Sequence, residues 1–409
     1  MGQNVTNLAG AAMTVYDKNV YEQTFEKNVL MQNLRKDLGV TSADGTSKTL
    51  TVHYGRNIGT AAGSETITLP TAGNQKFKQA TVAMKYNFGQ LSLTDVVLEA
   101  SKSNLAYLVN ALDAEYEGAK NDMARQIQRQ WYGLGDGSLG LVNGAATGTD
   151  TVVLDTPAVG KYVGDYVEDG QILRFGATAT DIATVDYYIG QHATVSNQDS
   201  IALVTGHGAT IDDNDNVYIA RSATESNKDA EMSGLKLLID DGTNATACQS
   251  LNRVTTPPYY TWWRSYVNDA SAARSLTETL MQTTYLQAKK FGMPKIALTS
   301  YDLYQKYALS LTPDRRYTSS DMDVKGGFTG VKFNDMVLLP DFDCPFDEMY
   351  FIDTNALSVE ELTPVSFMEK DGAILSRSAT TPAYQATLRY YANLAVNKPR
   401  SCSALRDVI

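Results

Sequence analysis

The residues of this 409-residue chain that could do chemistry are scattered. His53, His192 and His207 share no metal-ligand spacing, and no cysteine lies near any of them. Cys248, Cys344 and Cys402 are far apart and form no C-x-x-C pair. An odd, sparse set points to a reducing place of synthesis rather than to a disulfide framework. Carboxylates are plentiful, and Asp341, Asp343, Asp347 and Glu348 cluster. With Phe342, Cys344 and Pro345 among them, that run reads as a solvated loop. A glycosidase pair would need two carboxylates that meet in space, which spacing along the chain does not show. There is no G-x-S-x-G elbow, no Walker A loop and no H-E-x-x-H helix.

Two near-motifs fail on context. Gly135-Asp136-Gly137-Ser138-Leu139-Gly140 fits G-x-G-x-x-G, but a dinucleotide site needs that loop between a strand and a following helix. Here it follows a long helical pattern and precedes a β stretch, so it reads as a helix-terminating turn. Asp212-Asp213-Asn214-Asp215-Asn216 alternates oxygen ligands as a calcium loop does. Its sixth position is Val217 rather than Gly and its twelfth is Ala223 rather than Glu, so a polar turn between strands is expected. The aromatic run Pro257-Pro258-Tyr259-Tyr260-Thr261-Trp262-Trp263 could stack on sugars or bases, but reads better as a buried or interfacial anchor. Arg56, Lys76, Lys78, Arg315 and Arg316 are the basic positions that could pair with carboxylates across an interface, where such pairs set register and partner choice.

Composition narrows the classes further. Hydrophobic residues at 43% and charged residues at 20% suit a globular protein with a large core. No apolar run approaches the ~20 residues of a membrane span, and Met1–Ala12 lacks the basic and apolar regions of a secretory signal, so no membrane association is expected. The net charge of −11 opposes ordinary nucleic-acid binding, which needs a basic face to replace the counterions of phosphate. Residues 149–221 hold 11 acidic against 3 basic side chains, a local −8, and so behave as a separate acidic module.

The elements that must position these residues are unusual in shape. Residues 5–38 carry helical patterning with a thin apolar face of Val20, Phe25, Val29 and Leu30. Residues 46–91 read as an extended hairpin, with β-rich Lys48–Tyr54 and Lys76–Phe88 around a Gly/Ala/Thr-rich centre. A lone two-stranded ribbon is marginal in water, so this one needs something to lie on. Ser92-Leu93-Thr94-Asp95 has capping-box form and predicts a short helix. Leu105, Leu108, Leu112, Tyr116, Ala119, Met123, Ile127 and Trp131 then recur at helical spacing, predicting a long helix over 103–131 and a Gly-rich break after it. Five short strands follow within 150–221. Helical patterns return at 228–240 and 275–291, then a strand at 295–299 and a Ser300-capped helix to about Leu311. β-rich stretches at 332–339, 349–353 and 357–362 lead to a last extended segment, 383–396, that has no local partner. The class is α+β with an inserted all-β module.

This order of pieces resembles the Hong Kong 97-type major capsid proteins of tailed bacteriophages. The matching stretches are the arm 1–40, the hairpin, Leu91-Ser92-Leu93-Thr94-Asp95, the helix 103–131 and the Gly133–Gly140 turn. Met293-Pro294-Lys295-Ile296-Ala297-Leu298-Thr299-Ser300, Gly330-Val331-Lys332-Phe333 and Met349-Tyr350-Phe351-Ile352-Asp353 complete them. The resemblance implies an N-terminal arm (1–40), an E-loop hairpin (41–91) and a peripheral domain with its spine helix (92–148). An inserted β domain (149–222), an axial domain (223–380) and a return strand to the peripheral domain (381–409) would follow.

It also implies a structural protein rather than an enzyme, with no cofactor, whose main partner is itself. The subunit would form hexamers and pentamers of an icosahedral shell around double-stranded DNA held without sequence recognition. The hairpin would reach over an adjacent subunit, and residues around 300–350 would line the capsomer axis. A scaffolding protein and a portal would serve assembly in the bacterial host cytoplasm, with room for a decoration protein on the virion. Some relatives crosslink Lys to Asn between subunits, and Lys76 or Lys78 with Asn393 or Asn397 are the candidates here. The alternatives are an encapsulin-type compartment shell and, in another class, a β-rich glycan-binding adhesin using 149–221 and the aromatic run. A hydrolase on scattered carboxylates comes third.

Overall fold

The computed structural model describes residues 30, 33–38, 45–63, 65, 70–94, 105–147, 151–155, 166–167, 171–176, 188–195, 198–203, 210–220, 225–253, 260–270, 272–311, 323–324, 328–329, 331–369, 376–377 and 382–409. In chain order the main strands and helices begin with β1 Arg35–Leu38, β2 Ser47–Gly55, β3 Lys76–Ala83, β4 Lys85–Thr94 and α1 Leu105–Gln130. Next come β5 Ser138–Leu141, β6 Thr151–Val153, β7 Gln171–Gly176, β8 Tyr188–Val195, β9 Gln198–Leu203, β10 Asn216–Ile219 and the single turn α2 Leu235–Leu238. The second half holds β11 Tyr266–Asn268, α3 Glu278–Lys289, β12 Ile296–Thr299, α4 Tyr301–Ser310, β13 Val331–Phe333 and β14 Met336–Pro340. It ends with β15 Met349–Ile352, β16 Leu357–Phe367, β17 Ala383–Val396 and β18 Ser403–Leu405.

α1 is the organising rod. Its 26 residues span roughly 39 Å at ~1.5 Å per residue. Tyr116, Met123, Ile127 and Trp131 are buried at helical spacing, and Trp131 is fully enclosed. The helix closes as Tyr132 and Gly133 donate to the Arg129 and Gln130 carbonyls. The helix lies on a sheet in which β17 is central. β16 pairs with β17 on one side and β4 on the other, while β1 adds in parallel beyond β16. The extended segment expected to lack a local partner is corrected: it pairs locally with Ser376–Arg377 and with β16, and at long range with β4. Ten residues of β4 run antiparallel to it in unbroken register.

A second sheet of six strands has the order β11-β18-β15-β12-β14-β13, with α3 and α4 packed on it. α4 starts as expected, since the Ser300 hydroxyl accepts from the Leu303 N–H. A third, also six-stranded, has the order β5-β10-β7-β8-β9-β6 and encloses its own core of Val152, Leu173, Phe175, Ile201 and Val217.

Several expectations are corrected. Residues 35–38 are a strand rather than a helix end, because the exposed edge of β16 offers them a parallel ladder. Ser92, Leu93 and Thr94 are strand, not a capping box; their backbone groups are taken by β17, and Asp95 lies outside the described residues. Ser138–Leu141, expected in a flexible turn, is the edge strand of the acidic module, so that module's sheet begins before residue 149. The helix expected over 228–240 is one turn only. Asp229 sits at φ 55°, and Gly234 lies so close to the end of α1 that a Cβ there would meet the Gly133 carbonyl at 2.4 Å. The last segment does not return whole to the first sheet: β17 stays there, but β18 crosses into the second, beside β11 and β15. Most of the arm 1–40 lies outside the described residues, although Leu30 and Leu34 are buried in the main core.

Candidate assembly interface

The hairpin of β2 and β3 has two halves with different environments. Its root is covered by its own chain. Ala80 and Val82 are buried, Leu50 and Val52 pack on the main core, and the Thr81 N–H donates to the Gln249 carbonyl. Tyr54 stacks on Trp262 with ring centroids 4.8 Å apart, and the Lys78 ammonium sits over the Tyr260 ring at 5.7 Å. Lys48 forms an ion pair with the buried Glu360. The ribbon expected to need something to lie on thus finds it, at its root, within its own chain. The aromatic run supplies cover for the root that the hairpin's own composition did not reveal.

The tip is different. Ile58 is 82% exposed and Phe77 57%, with only His53 tilted against the latter. Asn57 ties the loop into a fixed shape, its side-chain oxygen accepting from the Gly59 and Gly73 N–H groups.

The site residues named from sequence are not gathered together. Arg56, Lys76 and Lys78 all lie on the exposed part of the hairpin, while Arg315 and Arg316 lie outside the described residues. Asn397 is exposed, its amide donating to the Asn355 carbonyl. Asn393 is 3% exposed and held from three sides within the chain. Its amide faces inward, which corrects its candidacy for a bond to a neighbouring subunit.

Two open grooves of about 380 Å³ each lie on the described surface. One runs between Tyr86–Gln90 of β4 and the Asp122–Gln130 face of α1. The other lies between Thr51–Tyr54, Trp262, Phe291 and the 397–400 loop. The first holds Asp122 and Glu231, but Arg129 engages Glu231. In the second, His53 is held by Gln75 at 2.7 Å. Among the described residues no group of three or more His, Cys, Asp or Glu could hold a metal ion, and no helix is long and apolar enough to cross a membrane.

The acidic run 341–348 is where sequence reading missed the arrangement. Asp343, Asp347 and Glu348 are buried rather than solvated. Lys236 approaches Glu348 at 3.1 Å, and the Arg406 guanidinium lies 3.7 Å from Glu348 and 3.1 Å from the fully buried Asp240. Arg253, also fully buried, lies 3.8 Å from Asp240 and donates to the Leu237 and Leu238 carbonyls. Burial pushes the Asp240 carboxyl up, but the Asn244 amide, the Arg406 charge and the Gly242 N–H outweigh it and hold it below the usual range. Glu348 behaves alike: burial raises it, while Lys236, Arg406 and the Tyr350 hydroxyl bring it down further. With Asp240 and Glu348 paired to Arg406, Arg253 and Lys236 inside a packed core, this cluster joins α2, the 240–253 loop, β15 and the C-terminal segment. It is a clamp rather than a reaction centre.

No protein-family model matches the sequence, and no curated protein matches it. Solved structures do match. A chain of the cyanophage A-1(L) capsid asymmetric unit aligns with a TM-score of 0.56 over 94% of this chain and 93% of that one, at 11% identity. A chain from the capsid of Myoviridae phage XM1 gives 0.44 at 9% identity, over 92% and 90%. One from Mycobacterium phage Bobi gives 0.44 at 10%, over 93% and 90%. At such identities the likeness speaks for the fold alone. Over 94% of its length the chain shares its fold with that phage capsid chain.

Proposed function

We propose that the chain is the major capsid protein of a tailed bacteriophage, a Hong Kong 97-type subunit that assembles as hexamers and pentamers into an icosahedral shell around packaged double-stranded DNA. The observation that carries the reading is the alignment of 94% of the chain with a phage capsid subunit. A pre-shaped hairpin tip with Ile58 bare and buried carboxylates paired with Arg406 support it. In this reading 1–40 is the N-terminal arm, 41–91 the E-loop and 92–148 the peripheral domain. The inserted domain spans 149–222, the axial domain 223–380 and the return segment 381–409.

The exposed part of the hairpin, with Arg56, Lys76 and Lys78 and with Ile58 bare at its tip, reaches an adjacent subunit, while residues near 300–350 line the capsomer axis; Arg315 and Arg316 are further candidates for inter-subunit contact. Identical heterologous contacts close into rings, and many weak contacts per subunit give a stable shell whose errors can still anneal. The acidic balance of −11 leaves the genome loosely held, as packaging requires. A scaffolding protein and a portal serve assembly in the host cytoplasm, a decoration protein can join the virion, and no step is enzymatic. Negative-stain microscopy of the purified protein tests this: shells, tubes or capsomer rings are expected. A compact monomer at high concentration would sink the proposal.

A further inference from the structure

The turn that follows β5 in the acidic module contains Asn143-Gly144, a pairing that occurs nowhere else in the sequence. The two residues carry chemistry of their own. The Gly144 nitrogen can close a five-membered ring on Cγ of the preceding side chain, and glycine has no Cβ to hinder the closure. Both residues are exposed, so water reaches them. Gly144 sits at φ 77°, and even a Cβ built on it would meet nothing within 4 Å, which leaves the space beside its nitrogen open.

A carboxylate from a distant loop is held on that nitrogen. The Gly144 N–H donates to Oδ1 of Asp213 at 2.7 Å. The other oxygen of Asp213 accepts from the Asn214 amide at 2.8 Å, which fixes the orientation of the carboxylate. The backbones that carry the two groups are fastened together. Val142 donates to the Asp215 carbonyl, Asn214 to the Val142 carbonyl and Asn143 to the Val153 carbonyl of β6, each at 2.9 Å. The Asn143 carboxamide makes no hydrogen bond to another described residue, so it can turn toward the nitrogen. A carboxylate at hydrogen-bond distance from the proton that must leave has the geometry of a general base, an arrangement worth about 10²–10⁴-fold in rate.

We infer that Asn143 is a self-modification site, deamidated by the Gly144 nitrogen with Asp213 as the base. The Gly144 nitrogen bonds to Cγ of Asn143 as Asp213 takes its proton. Asp213 passes that proton to Nδ2, the Cγ–Nδ2 bond breaks, and ammonia leaves behind a succinimide ring. Solvent water then opens the ring. Addition at Cγ gives aspartate, and addition at the main-chain carbonyl gives isoaspartate, whose backbone runs through one extra methylene. Asparagine and water become an acid and ammonia, with no oxidant or reductant. The product places a new negative charge beside Asp213, and like charges in contact repel. Conversion therefore loosens the module where residues 142–147 meet 210–215, and it marks the age of the folded chain.

The test is a time course of the full-length protein held warm at neutral pH, then digested and read by tandem mass spectrometry at Asn143. A synthetic peptide of residues 138–148 under the same conditions gives the rate without the fold. Expected is conversion to aspartate and isoaspartate at least about ten times faster in the folded chain than in the peptide, as a positioned base requires. Asp213→Asn should bring the rate down to that of the peptide or below. A folded chain that converts no faster than the peptide overturns the inference, and that comparison holds even if the variant fails to fold. A folded Asp213→Asn chain that converts as fast as the wild type overturns it too. Neither result depends on shell formation, so failure here is distinct from failure of the capsid reading.

Discussion

The carboxylates and guanidinium groups around Arg406 show how a charge run changes meaning once folded. Asp240 and Glu348 titrate lower in the folded chain than in the unfolded one, where they take values near ~3.9 and ~4.3. The folded state therefore binds fewer protons, and the stability they supply is complete above about pH 5 and is lost as pH falls through the folded values. Thermal unfolding followed by circular dichroism should show the midpoint dropping as pH is lowered below about 4. Asp240→Asn should be less stable at neutral pH yet lose less on acidification; an equal or steeper acid loss would count against the clamp. Arg406→Met takes a buried cation from two buried carboxylates and should cost about 3–5 kcal/mol at neutral pH. None of this was legible in the run Asp341–Glu348, because its cations come from Lys236 and Arg406, which only the tertiary fold brings to it.

At the scale of elements, the long helix, the Ser300 cap and the strand Ala383–Val396 were readable because their signals are local: spacing, a hydroxyl and β-rich composition. The glycines after α1 were readable as a break, but not for the reason they are there. Gly137 has φ 81°, and a Cβ on it would lie 2.2 Å from the Asn227 carbonyl oxygen, so the residue serves a close crossing of two backbones. Gly137→Ala should lower stability by about 2 kcal/mol or more, read from urea unfolding, since it adds left-handed strain to the clash. A neutral result would mean that the 225–234 segment yields easily. The division of Lys76–Thr94 at Met84 was not readable. One β-rich stretch serves two partners, β2 before that residue and β17 after it, and composition is the same on both sides.

For the whole molecule, the hairpin decides what can be tested. Its root is packed at home and its tip is bare, so tip and root substitutions should separate. Ile58→Asp should leave the unfolding midpoint of the subunit within a degree or two, because a side chain 82% exposed contributes little to the core. It should nonetheless reduce shell or ring formation, read by sedimentation velocity, since a charge desolvated in an interface is costly. Unimpaired assembly would show that the tip is no contact.

What the sequence by itself determined was the long helix, the Ser300-capped helix, the β-rich stretches that became strands and the acidic excess of residues 149–221. These follow from spacing and composition, which act over a few residues. Tertiary structure alone decided that the aromatic run shelters the hairpin root and that β18 leaves the sheet of β17. It alone brought Lys48 to Glu360. Pairings between residues hundreds of positions apart are chosen by burial and by the need to satisfy every enclosed polar group, and neither leaves a local trace in the chain.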